Sequence, residues 1–96
     1  MAKLTAEARR FRKWLHEHFE TAGCQPLADE LIREYDHLAT LRHMADEARA
    51  SADTQTYLRV CSAISKATAS FVRYWKAAGL STLELPAEIR SATNRR

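Results

Sequence analysis

Residues 54–79 read TQTYLRVCSAISKATASFVRYWKAAG, and their periodicity decides the fold. Tyr57, Cys61, Ile64, Thr68, Phe71, Trp75 and Ala78 are spaced alternately by four and three, which lays them along one face of an α-helix. Leu58, Val60, Ala67, Val72 and Tyr74 flank that face. Gly79 ends the run, because glycine accepts the left-handed conformation that closes many helices.

Upstream, Pro26 suits a first helical turn, with the acids Asp29 and Glu30 close behind it. Leu27, Leu31, Glu34, Leu38, Leu41, Ala45 and Ala48 form a stripe that only Glu34 interrupts. Ala28, Ile32, Tyr35 and Ala39 make a second apolar row beside it. The spacing predicts a helix over about 26–50, a turn carrying two candidate caps (Ser51 and Asp53), and a helix over about 54–79. A connection this short between long helices makes an antiparallel hairpin. A shorter helix over about 5–22 precedes it, with Leu4, Ala8, Phe11, Leu15, His18 and Ala22 on one side, Thr5 as cap and Gly23 as stop. The class is all-α: residues 1–80 form a single helical domain, and 81–96 a C-terminal segment, partly flexible, in which Pro86 starts a turn or two.

The chain has 96 residues, 46% of them apolar and 28% charged, with two glycines and two prolines. That composition fits a folded helical protein and disfavours a disordered one. No apolar run approaches the roughly 20 residues of a membrane span, and the N-terminus lacks a signal-peptide core, so no membrane role is expected. Cys24 and Cys61 build no disulfide framework, which suits a reducing cytoplasm.

Charge is unevenly spread. Residues 26–53 carry three bases and seven acids, whereas residues 54–80 carry Arg59, Lys66, Arg73 and Lys76 and no acid. Opposite charge on successive helices favours their pairing, so the basic row can serve the hairpin itself. It can equally follow a phosphate backbone, and Lys66 and Arg73 are candidate DNA contacts. Arg9, Arg10, Arg12 and Lys13 form a denser cluster on the first helix. No base-reading pattern accompanies them, so a DNA contact there carries little sequence preference. The apolar surplus on the last helix exceeds what one partner helix covers and needs another, either the N-terminal helix or one from a neighbouring copy. A hairpin this slender favours association. Tyr57, Ile64, Phe71, Tyr74 and Trp75 are therefore expected at an interface between copies, in a homo-oligomer.

Catalysis is not expected, and neither is a metal or a cofactor. His16 and His18 diverge on a helix, and the row His16, Glu20, Cys24 spans about 12 Å, too long for one coordination sphere. Neither cysteine has a visible activating histidine, and two glycines cannot build a phosphate loop.

The order of features resembles the small terminase subunits of tailed bacteriophages. The matching stretches are Phe11-Arg12-Lys13-Trp14-Leu15, Leu27-Ala28-Asp29-Glu30-Leu31-Ile32-Arg33-Glu34-Tyr35, Tyr74-Trp75-Lys76-Ala77-Ala78-Gly79-Leu80-Ser81-Thr82 and Pro86-Ala87-Glu88-Ile89-Arg90. The resemblance implies a ring-forming, non-enzymatic subunit of a DNA-packaging motor in a bacterial host's cytoplasm. Such a subunit presents DNA to a large terminase subunit that carries the ATPase and nuclease. It places the oligomer contact on the hairpin and a partner contact on Pro86, Ile89 and Arg90. Many members have a separate helix-turn-helix domain before the hairpin, for which residues 1–25 are too few. DNA contact without sequence preference, as in a phage-derived gene transfer agent, follows. The alternative is a dimeric helical adaptor or antitoxin-like regulator, which the acidic second helix and the apolar third suit.

Overall fold

The computed structural model describes residues 3–18, 25–80, 83–87, 89 and 90. Three helices follow in order: α1 over Ala6–His18, α2 over Gln25–Ala50 and α3 over Thr54–Ala77. No strand occurs among the described residues. Residues 19–22, expected to continue the first helix, lie outside that set.

α1 and α3 begin where the sequence provides an acceptor. The Thr5 hydroxyl accepts the Ala8 amide at 3.1 Å, and the Asp53 carboxylate accepts the Thr56 amide at 3.1 Å. Hydrogen bonding from Thr56, by its side chain first and by this amide second, holds the Asp53 pKa below its ordinary value. Both ends of the hairpin close in the same way. Past α2, the Asp53 and Ala52 amides donate back to the carbonyls of Ala48 and Arg49. Past α3, the Leu80 and Gly79 amides donate to those of Trp75 and Lys76. In each the pivotal residue is left-handed: Gly79 at φ 78°, and Ala52, a non-glycine, at φ 57°.

The two long helices α2 and α3 pack against each other. Arg49 reaches Tyr57 beside the turn and Ser70 donates to Glu34 further along, a pairing order that only an antiparallel hairpin produces. α2 is the central helix. Leu31, Leu38, Leu41, Ala45 and Ala48 from one row and Ala28, Ile32, Tyr35 and Ala39 from the other are all buried. Two buried rows require a second cover, and α1 supplies it through Ala8, Phe11 and Leu15.

Two polar contacts tie α1 down. The Asp36 carboxylate accepts the Thr5 amide at 2.7 Å, and His43 meets Glu7 at 2.8 Å, an ion pair when the imidazole is protonated. The chain after α3 returns to the same core, where Leu80 and Ile89 are buried. A short turn positions Ile89, with the Pro86 carbonyl accepting the amides of Ile89 and Arg90 at 3.0 Å. Residues 91–96, expected as a tail, lie outside the described set.

Candidate nucleic-acid interface

An aromatic cluster joins the three helices and determines which side chains reach the surface. Phe11 of α1 stacks on Tyr35 of α2 at 4.4 Å and meets Phe71 of α3 edge-on at 5.7 Å. Trp14 of α1 stacks over Trp75 of α3 at 6.0 Å, and His18 stacks on Trp14 at 4.9 Å. Such contacts combine large apolar burial with favourable ring geometry.

Of the residues expected at an interface between copies, Phe71 is 0% exposed and Trp75 2%, both against α1 within the same chain. The surplus apolar surface of α3 is thus largely taken up internally, and these two rings offer no area to a second copy. Tyr57, Ile64 and Tyr74 are half-buried. Among the described residues, Leu58 and Met44 are the large apolar side chains most open to solvent, Leu58 at 63%.

Burial of Ala8, Phe11 and Leu15 turns the remaining faces of α1 outward, and Arg9, Arg10, Arg12 and Lys13 are all exposed. They do not share one direction. Arg9 and Arg12 border an open groove between α1 and α2, to which Lys3 and Arg33 also contribute. Arg10 faces a different cleft of about 430 Å³, where α1 meets the C-terminal segment beside Glu7, Trp14, Glu84 and Pro86. Lys66 and Arg73 are exposed on α3, on the side turned away from Phe71 and Trp75, and line neither groove.

The acidic helix does not pair with this basic row. Among the described residues the ion pairs are Arg33–Glu30, His43–Glu7 and Arg90–Glu84. Glu30 is thus engaged within α2, and Glu34 accepts from the Ser70 hydroxyl. Arg9, Arg10, Arg12, Lys13, Lys66 and Arg73 have no carboxylate of a described residue within 4.0 Å. The Glu7 carboxyl is held below its ordinary value, first by the backbone amide at the start of α1 and further by His43, with partial burial opposing.

The C-terminal positions expected to meet a partner divide. Ile89 is buried in the chain's own core, so its side chain is not available outside it. Arg90 is exposed and pairs with Glu84 at 2.8 Å, and Pro86 is half-buried at the rim of the cleft.

No three His, Cys, Asp or Glu side chains gather as a metal site among the described residues, and Glu20 and Cys24 lie outside them. Cys61 is a half-buried free thiol on α3. Among the described residues no helix is long and apolar enough to cross a membrane. Lys3, Arg33 and the Asp36 and His43 anchors were not legible as site residues, because contacts between positions some 30 residues apart leave no local pattern. Compared with protein families, curated proteins and solved structures, the chain matches none.

Proposed function

We propose that this chain is a non-enzymatic, DNA-contacting subunit of the small-terminase kind, which engages DNA with little sequence preference and presents it to a large ATPase and nuclease subunit. The observation that carries this reading is the set of exposed cations with no carboxylate of a described residue within 4.0 Å: Arg9, Arg10, Arg12 and Lys13 on α1, Lys66 and Arg73 on α3. Cations left unpaired beside an acidic helix are available to phosphates, and such contacts bind any sequence. The order of a short basic helix, a long hairpin and a Gly-Leu followed by a Pro-containing segment supports the packaging role by resemblance. Association of copies, which the same resemblance implies, falls to residues outside the sealed aromatic cluster, namely Tyr57, Leu58, Ile64 and Tyr74.

The test is titration of unrelated labelled duplexes at low salt, with micromolar affinity that falls steeply as salt rises. Replacing Arg9, Arg10, Arg12 and Lys13 together by Ala should abolish binding and leave the helices and the copy number unchanged. Absence of binding at 50 mM salt would refute the reading. One observation favours the adaptor alternative: the cleft bordered by Phe11, Trp14, Leu83, Leu85 and Pro86 offers apolar surface to a protein side chain. An adaptor binds no duplex and is indifferent to the α1 substitutions.

A further inference from the structure

We infer that the open groove between α1 and α2 seats a nucleic-acid phosphate backbone, with Lys3 and Arg33 completing a cationic set that Arg9 and Arg12 begin. This deepens the DNA-contacting reading and rests on it. The four cations come from three stretches of chain (the lead-in to α1, α1 itself and α2) and meet only because Phe11 and Leu15 bury α1 against the hairpin. Two carboxylates share the groove, and each already accepts from a neutral donor: Asp36 from the Thr5 amide and Asp29 from the Gln25 side chain, both at 2.7 Å. Four cations against two carboxylates leave the groove positively charged. Glu30, from outside the lining, offsets part of Arg33, and no ion pair joins the groove's own acids and bases.

The cations are also positioned. Arg9 donates to the Leu4 carbonyl at 2.8 Å, which sets its guanidinium along the groove's edge. Arg33 gives one donor to Glu30 at 2.6 Å while its side chain stays 71% exposed, leaving other donors of the fork free to turn toward an anion. Arg9 and Arg12 lie one turn apart, about 4.5 Å along the axis, so they can grip neighbouring oxygens of one strand. Guanidinium groups match phosphate oxygens two at a time, and three of the four cations are arginines. Leu4 and Ile32 are the apolar residues of the groove, and the four cations stand around them. Among the described residues no Asn or Gln borders the groove to pair with adenine, and its arginines are assigned to phosphate oxygens.

The test compares the full chain with a Lys3→Ala, Arg33→Ala double variant, both substitutions being at exposed side chains. Duplex affinity is measured across a four-fold range of salt. If each residue neutralises one phosphate, the slope of log affinity against log salt shrinks by about 1.8, and the variant's affinity becomes roughly twelve-fold less sensitive over that range. The loss should be equal for unrelated duplex sequences, with the circular dichroism melt unchanged. A Lys66→Ala, Arg73→Ala variant serves as the comparison. Should the Lys3/Arg33 variant keep the parent slope while the Lys66/Arg73 variant loses it, the groove assignment is overturned and DNA contact survives on α3. If the parent binds no duplex but binds polyglutamate, both the groove assignment and the DNA-contacting reading fall together.

Discussion

At the end of the hairpin that α1 covers, rings from three helices pack on one another and Leu80 and Ile89 close the remaining gap. At the tip around Ala52, only two helices meet; small residues such as Ala45 and Ala48 fill the seam, and Leu58 stands 63% exposed. The same alternating stripe of α3 runs through both regions, so periodicity alone does not distinguish them. What differs is the cover. Where α1 lies, the surplus is sealed within the chain, and the helix that seals it also carries the cations outward.

The largest test of that contrast is Phe71→Ala. Phe71 touches rings of both other helices, so its loss should cost about 3–5 kcal/mol in urea unfolding and loosen all three helices together. Weakened self-association with full stability would instead put the ring between copies.

At the tip the sign reverses. Ala52 holds a left-handed conformation that Gly79 holds without strain at the other end, so Ala52→Gly should stabilise the chain by about 1 kcal/mol. An unchanged or lower melting temperature would show that the turn does not hold that conformation in solution.

Acid should act at both ends, because Glu7 at the covered end and Asp53 at the tip each hold a lowered carboxyl pKa. The folded pKa of Glu7 lies below its ordinary value near 4.5, so the stabilisation it provides is present above that value. It is lost as pH falls through the lowered folded pKa. Between neutral pH and about pH 3, the parent should therefore lose more stability than Glu7→Gln, as read from melts at successive pH values. Equal losses would remove Glu7 from the anchoring of α1.

The smallest effect belongs to Leu58→Ser, within about 0.5 kcal/mol, because that side chain is mostly in water already. A cost well above that would reveal a neighbour covering the tip in solution.

Much of the fold was legible in local pattern. The 4-3 spacing gives α3, the twin rows of α2 announce covers on two sides, and Thr5, Asp53 and Gly79 mark boundaries where the backbone needs them. What spacing does not reveal is which molecule supplies a cover. Spacing leaves the first helix and a second copy equally open as covers for Phe71 and Trp75, and α1 covers them through Phe11 and Trp14. Charge was misleading for a related reason. The acidic and basic blocks suggest paired helices, yet Glu30 pairs along its own helix and Glu34 bonds to a serine. The candidate site was half legible: Arg9 and Arg12 stand in a visible cluster, whereas Lys3 and Arg33 join them only through the docking of α1 on α2.

The measurement that bears most directly on the account is a nitrogen-15 shift map of the full chain during titration with a short duplex. If the helix that closes the core also holds DNA, the perturbed amides should centre on Lys3, Arg9, Arg12 and Arg33, with Ala48 to Tyr57 at the tip silent. Perturbations centred on the tip, or none at saturating duplex, would contradict it.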